Sequence, residues 1–586
     1  MKLLKKYMYG LIAAGLLFIM FAVMVFSSRG DSAIVDEIAH IPAGYSYLTT
    51  GDYRLNPEHP PFIKEVAALP LLFLNVHFPF DYFRANVGSI NNQWETGWKF
   101  IYHFGNDPNV IILASRIPVM LLSLVLGYFV YRWAKELFGK KAGIFALILY
   151  VFDANIIAHS RFVTTDLGIS LALFLSMYTL YRFIKKPSWK SISLAGAAFG
   201  LALISKFSAA VLAPIFAIVF IMLLVSKKHE KGTGFFKNLA DKSFWKRSGS
   251  YLLSFVIVGV IGFLVMWIFY IPHTINLSPE NQRALIEESL PDNGLTNTLK
   301  AMSGNALTRP VAQYFLGFFM VSSHVEGGHD SFLLGQVSNQ GWWYYYPVVL
   351  LIKVSIPIFI FIGLVFAFWK KLEKKDWFTE IYLWVLPFVL LVMGMQGSIN
   401  LGIRYMLPMF PFIFIFLSRL GNLFDFKKMT ENRRFANVSL IVLVFLVWYV
   451  VKSLITYPHY LPFYNEFVSG GYKNGYKYLT DSNTDWGQDL YRLNEWAEKN
   501  NIDVIYVDYF GGGVPEIALG DKFREYHVNY SRPKGYLAIS ATFYQNSRLK
   551  KLQKGEPDYS WLEGVEPIEN IGGSILVYDL RSCNTK

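Results

Sequence analysis

Long apolar runs set the pattern of this chain. A run of about 18 residues with few charges can cross a bilayer as a helix. Eleven stretches read that way: 8–27, 111–130, 142–158, 166–183, 191–205, 208–226, 251–271, 347–369, 379–396, 404–420 and 436–454. The 191–226 stretch is too long for one crossing and is split at Ser205-Lys206, which predicts a short pair. No clear small-x-small cleavage site follows the first run, so it reads as a span rather than a removable leader. Two long polar segments, 28–110 and 272–346, interrupt the apolar pattern, and a polar tail, 456–586, follows it. The tail holds strand-like runs at 504–510, 535–540 and 574–578, with a helical stretch at 489–499 before the first. The predicted fold is mainly α. A polytopic membrane helical bundle of about eleven transmembrane helices fills residues 1–455, and a small extracytoplasmic α/β C-terminal domain fills 456–586. There is no internal repeat or low-complexity tract.

Charge orients the bundle. Of 586 residues, 53% are hydrophobic and 17% charged, yet the net charge is +13. Soluble domains carry about 25% charged residues. High hydrophobicity excludes a disordered chain, and scattered Lys and Arg argue against a nucleic-acid partner. With a cytoplasmic N-terminus, segments 1–7, 131–141, 182–190, 227–249, 370–376 and 419–434 fall inside and hold 27 of the 55 Lys and Arg. That is the positive-inside pattern. It places 28–110, 272–346 and the tail outside. A lone cysteine, Cys583, excludes a disulfide framework and a Cys-based zinc site.

Candidate chemistry gathers in the outer segments. Asp36-Glu37 follows the first span, and Asp36 and His40 share a helix face if that segment is helical. Either it is a solvated loop start or a carboxylate is held there for proton abstraction. In Asn56-Pro-Glu-His-Pro-Pro-Phe-Ile-Lys64, prolines pin the backbone around Glu58 and His59. Leu69–Leu74 then reads as a surface-lying amphipathic helix. Asp153, Arg161 and Asp166 sit at the edges of adjoining spans, where charge is costly; helix caps and a snorkelling arginine are the plainer readings. Arg116, Lys206 and Arg404 lie at outer ends, against the orientation rule, and suit an anionic ligand such as a lipid phosphate. Ion pairing with the carboxylates is the alternative.

His324-Val-Glu-Gly-Gly-His329-Asp330 has a metal-like spacing, but its glycines predict a loop, and no metal site is assigned. Trp342, in Gly341-Trp-Trp-Tyr-Tyr-Tyr-Pro347, reads as part of an interfacial aromatic belt, with sugar stacking as the sharper alternative. Asp485 lies in Asp481-Ser-Asn-Thr-Asp-Trp-Gly-Gln-Asp489, which could hold a divalent cation or a glycan, or cap the next helix. No cofactor is firmly implied. Gly511-Gly-Gly513 lacks the dinucleotide pattern, and there is no phosphate-binding Walker loop.

Taken together, these motifs resemble the GT-C glycosyltransferases, in the branch of protein O-mannosyltransferases and bacterial lipid-carrier-dependent transferases. Asp36-Glu37, the Asn56–Lys64 segment, Ser115-Arg-Ile-Pro118, Asp153 to Asp166, the Gly341–Pro347 run with Lys353, and Arg404-Tyr405 carry the resemblance. It implies inverting transfer of a sugar, a hexose such as mannose, from a polyprenyl-phosphate carrier to a hydroxyl of a protein, lipid or glycan. The implied setting is the outer face of a bacterial plasma membrane. Asp36 would be the general base, and Glu37 and Asp166 would shape the site. Arg116, Arg161, Lys206 and Arg404, with Glu58, His59 and Lys64, would bind the donor phosphate and sugar. His329, Trp342 and Asp485 would face the acceptor or its loops. His59 stands where the related aminoarabinose transferases have a lysine, and the large sugar-binding repeats of eukaryotic O-mannosyltransferases are absent. A transporter or flippase would need ionisable residues along a midplane path, whereas here they gather at outer ends. A non-catalytic relative would not need both acidic motifs.

Overall fold

The computed structural model describes residues 2–86, 88–226, 230 and 232–581. Cys583 lies outside the described residues. All eleven apolar runs are helical. Eight form helices long and apolar enough to cross a membrane: Tyr7–Ser28, Pro108–Phe138, Thr165–Lys185, Phe207–Val225, Phe244–Thr274, Trp377–Gln396, Ile403–Leu423 and Arg433–Thr456. Two more are bent pairs, Lys140–Val151 with Ala154–Ser160 (63°) and Tyr345–Lys353 with Ile356–Ala367 (99°). Counting each pair as one span gives ten, and Trp189–Leu203 is a shorter apolar helix. The chain is an integral, multi-pass membrane protein.

Local chemistry makes the bends. Asp153 accepts hydrogen bonds from the Asn155 and Ile156 amides, 3.0 Å each, and so starts a new helix two residues after the last one ends. Its predicted role as a cap is what the structure shows. Pro357 stands in the first turn of Ile356–Ala367; its ring has no N–H and would clash with the carbonyl four residues back, so the preceding helix stops at Lys353. Elsewhere small residues bring helices together. Gly196 and Gly200, four apart, face Ile261 and Val265, and a Cβ on either glycine would stand 2.5 Å from a side-chain atom.

The segments predicted to be cytoplasmic meet at one end of the bundle. There Lys185 pairs with Asp376 at 3.2 Å, Arg419 with Glu380 at 2.7 Å, and Lys141 Nζ donates to the Phe424 carbonyl. Segments 28–110 and 272–346 lie at the other end and carry helices that the apolar pattern does not predict, among them Val35–Thr50, Pro279–Ser289 and Arg309–Gly327. The two segments are tied by the Asn276 amide to the Gly51 carbonyl and by Gln313 Nε2 to the Tyr53 carbonyl. Leu69–Phe73 is a 3₁₀ helix with Leu71 buried and Phe73 88% exposed, so one side faces out.

An antiparallel hairpin, β1 (Ser331–Leu333) and β2 (Gln336–Ser338), closes the second outer segment. The tail holds a mixed five-stranded sheet of β3 (Ile505–Asp508), β4 (Phe523–Glu525), β5 (Tyr536–Ser540), β6 (Glu569–Ile571) and β7 (Ile575–Asp579), in the order β4-β3-β5-β7-β6. The first three strands run parallel to one another, and β7 is antiparallel to both of its neighbours. Apolar clusters cover the two faces of the sheet. The start of the tail belongs elsewhere: Tyr460, Leu461, Phe463, Tyr464 and Trp486 are part of the bundle's own core.

Candidate active site

Four charged residues from four helix starts meet at the outer-segment end. Asp36 is in the first turn of Val35–Thr50, Asp166 in the first turn of Thr165–Lys185, Lys206 immediately before Phe207, and Arg404 at the start of Ile403–Leu423. Helix starts favour negative charge, since their amides are unpaired and the helix dipole is positive there. The two carboxylates in turn draw the two cations. Arg404 Nη1 donates to Asp36 Oδ2 at 3.0 Å and to Asp166 Oδ2 at 3.5 Å, and Lys206 Nζ donates to Asp166 Oδ1 at 2.5 Å. The Asp166 carboxylate is taken up by these two cations, and it accepts no helix amide among the described residues. Arg404 also lies 4.4 Å from the centre of the Trp486 ring, and Lys206 4.9 Å from that of Tyr405. Asp36 keeps 24% of its side chain exposed and Arg404 9%. Arg404 Nε has no hydrogen-bond partner among the described residues. Asp36 and Arg404 line a cavity of about 790 Å³ that extends to the tail sheet.

Glu37 turns the other way. Its buried carboxylate grips Arg116 through two bonds, 2.8 and 2.7 Å, and accepts the amides of Ile34 and Val163 at 3.0 Å each. Arg116 gives its remaining donors to the carbonyls of Ser28, Asp31 and Ser32. All five N–H groups of its guanidinium are thus used. The expectation that Arg116 meets a phosphate is corrected here, because its donors are spent on residues 28–37, and Glu37 bears on the site through the segment that it fixes. Arg161 is held through Nη1 by Asp31 at 2.9 Å and the Ser27 carbonyl at 2.7 Å, while its buried Nε has no partner among the described residues. Asp31 also pairs with Arg492 of the tail at 2.7 Å. Burial alone pushes the Asp31 carboxyl up, but Arg161, Arg492 and Arg116 outweigh it and hold it below the usual range.

The proline-rich segment is stapled by Lys64. Buried, it donates to Tyr47 Oη, the Asn56 carbonyl and side chain, and the His59 carbonyl at 2.7–3.1 Å. Burial drives its pKa well down, against the pull of Glu58 and Glu65. The expectation of Lys64 on a phosphate therefore fails, since its donors are consumed by the loop. Glu58 accepts from Asn91 and Gln93 at 3.3 and 3.1 Å. The His59 ring stands 5.4 Å from that of His40, and burial, then the positive charges around it, hold His59 well below the ordinary histidine range. His40 bonds the Val163 carbonyl rather than Asp36.

Of the expected acceptor-side residues, His329 lines the cavity, 3.9 Å from Asp481. Asp481 also lines it, and although burial raises its carboxyl, His329 and Arg404 bring it below the usual value. Trp342 is fixed through its amide to Asn400 and does not line the cavity. Asp485 is fully buried; its two oxygens accept the Gly487 and Thr542 amides, and burial pushes its pKa up to about 8. It supports the loop and cannot face an acceptor. The loop expected at 324–330 is in part the last turn of Arg309–Gly327, and Gly327, Gly328, His329 and Asp330 of it border the cavity. Among the described residues, no group of three His, Cys, Asp or Glu side chains could hold a metal.

The apolar pattern missed the brace on Asp36. The tail stretch 486–490 pairs with residues 32–35: the Ser32 amide donates to the Gln488 carbonyl at 2.9 Å, Ser32 Oγ to the Gly487 carbonyl at 2.6 Å, and the Val35 amide to the Trp486 carbonyl at 3.3 Å. Gly512 closes the other side, its amide bonding the Ala33 carbonyl at 3.1 Å; a Cβ there would stand 2.4 Å from the Ile34 carbonyl oxygen. The run of three glycines is a packing requirement. The bare sequence signals for this brace are that run and the polar Asp481–Asp489 stretch.

Residues 106–238 match the family described as dolichyl-phosphate-mannose-protein mannosyltransferase. No curated protein matches the chain. Among solved structures it is similar to ArnT from Cupriavidus metallidurans bound to undecaprenyl phosphate, at 11% identity over 97% of each chain with a TM-score of 0.46. It is also similar to the archaeal oligosaccharyltransferase AglB from Archaeoglobus fulgidus in complex with an inhibitory peptide and a dolichol-phosphate, at 12% identity over 93% of this chain and 71% of that one, TM-score 0.49. A third is the S. cerevisiae Pmt1-Pmt2 complex bound to the sugar donor, at 17% identity over 49% and 37%, TM-score 0.34. The matched segment contains Arg116, Asp153, Arg161, Asp166 and Lys206.

Proposed function

We propose that this protein transfers a sugar, a hexose such as mannose, from a polyprenyl-phosphate carrier to an acceptor hydroxyl on the extracytoplasmic face of a bacterial plasma membrane, with inversion. Residues 1–455 form the catalytic membrane domain in this reading and 456–586 an extracytoplasmic one. The observation that carries it is the Asp36–Arg404 pair at the wall of a cavity, with Arg404 Nε free of any described partner. A base and a phosphate-binding cation are what such a transfer needs within a few ångströms of each other. The matched family, described by a dolichyl-phosphate-mannose donor, supports the lipid-phosphate carrier.

The steps follow from the geometry. Asp36 takes the proton of the acceptor hydroxyl as its oxygen attacks the anomeric carbon. The bond from that carbon to the phosphate oxygen breaks, and the electron pair leaves with the polyprenyl phosphate. Arg404 and Lys206 meet the charge that develops on the phosphate, in a buried setting where such contacts count for more than in water. Asp166 holds both cations in place beforehand. The test uses the purified protein, labelled polyprenyl-phosphate mannose and a panel of hydroxyl acceptors. Transfer is expected, and Asp36→Asn is expected to slow it about 10²–10⁴-fold. Transfer by Asp36→Asn at the wild-type rate would remove Asp36 from the role of base, and no transfer from any lipid-linked sugar would overturn the reading.

A further inference from the structure

The cavity does not end at Asp36. It continues to the tail sheet, where its far wall is built from Asp508 at the end of β3, Phe510, His527, Phe543, Asn546 and Tyr559. Tyr559 Oη donates to Asp508 Oδ2, and His527 Nδ1 stands 3.4 Å from Asp508 Oδ1. The carboxylate is thereby fixed in orientation while retaining capacity to accept further bonds. Asn546 Oδ1 is buried with no partner among the described residues. The rings of Phe510 and Phe543, with centres 5.6 Å apart and packed edge to face, lie on the same wall.

Charge narrows the ligand. Asp36, Asp330, Asp481, Asp508 and Glu556 line the cavity against two full cations, Arg404 and Lys550. Arg404 is already engaged by Asp36 and Asp166. Beyond the Arg404 end, the cavity is therefore acidic and would repel a phosphate on the acceptor. Fixed carboxylates and amides beside aromatic faces suit the hydroxyls and apolar ring faces of a sugar. A peptide bound as an added strand would need a free sheet edge to pair with, one of several ways in which peptides are held. The nearest one, β4, is three residues long and ends in Glu525.

We propose that the far half of this cavity is the acceptor site and that it takes a neutral glycan, with Asp508, Asn546 and the Phe510–Phe543 wall as its contacts. This rests on the transferase reading for its place in the reaction, but not for the binding itself. The test is therefore binding without donor: saturation-transfer NMR of the full-length protein with maltotriose, with maltotriose bearing a terminal phosphate, and with a Ser/Thr-rich peptide. Transfer of saturation to maltotriose is expected, with a signal at least about tenfold weaker for the phosphorylated sugar. Asp508→Asn and Phe543→Ala are each expected to weaken the maltotriose signal by a similar factor, with unfolding temperatures checked alongside. Phe543→Ala keeps the test open if Asp508→Asn fails to fold. No maltotriose signal, equal binding of the phosphorylated sugar, or displacement of maltotriose by the peptide would overturn the proposal. Loss of sugar transfer with maltotriose binding intact would instead count against the transferase reading.

Discussion

Asp36 and Glu37 are adjacent carboxylates on one helix, and successive helical side chains point about 100° apart. One is directed to a cavity and a half-shared arginine; the other is sealed inside with every acceptor in use. Their substitutions should therefore separate two measurements. Glu37→Gln leaves Arg116 buried without its counter-charge and should cost about 3–5 kcal/mol of stability, read as a lowered unfolding temperature in detergent. An unfolding temperature within a degree of wild type would contradict this. At Arg404, lysine keeps the charge but cannot reach Asp36 and a phosphate together through separate donors. Arg404→Lys should lower sugar transfer about 10²–10³-fold in a labelled-donor assay, with little change in stability, and near-normal turnover would place the phosphate elsewhere. At this scale the residue types were legible in the sequence, but their partners were not. Arg116, Arg161 and Lys64 looked like Arg404 and Lys206, because a sequence shows charge without showing which carbonyls consume it.

Among elements, the long apolar runs were the legible ones, since spanning a membrane demands length and hydrophobicity together. All eleven are helical. The short strands β4 and β6, three residues each, carry no usable alternation and escaped, as did the outer-segment helices Pro279–Ser289 and Arg309–Gly327. So did the pairing of 486–490 with 32–35, which joins positions more than 450 residues apart largely through backbone atoms that any residue supplies. Its sequence constraints are the Ser32 hydroxyl, which donates to the Gly487 carbonyl and accepts from the Leu490 amide, and Gly512. Gly512→Val would press a side chain against the Ile34 carbonyl and displace the first turn that carries Asp36. The expected result is a loss of sugar transfer of about 10²-fold, as for a misplacement near 1 Å, with donor binding retained. Unchanged turnover would mean that the brace does not set the position of Asp36.

For the whole molecule, one buried carboxyl makes stability depend on pH. Asp485 is raised in the folded protein to about 8, against an unfolded value near 3.9. The folded state therefore binds this proton more tightly than the unfolded one. The contribution is fully present below about pH 4 and is lost as pH rises toward 8. Thermal unfolding across that window should show this decline, and Asp485→Asn should remove it; an unaltered slope in the variant would assign the decline to another group. At the same scale, charge counting predicted which segments share an end of the bundle, and the ion pairs of Lys185, Arg419 and their partners gather those segments together. The tail read as a separate unit because its composition changes at 456, yet Tyr460 to Trp486 pack into the bundle core. That arrangement bears on how the protein is made. Asp36 leaves the ribosome some 450 residues before Trp486, Gln488, Arg492 and Gly512, which fix the chain around it. A nascent chain holds its carboxylate through all of that stretch of synthesis without the surroundings that orient it, and a product ended before them lacks them for good.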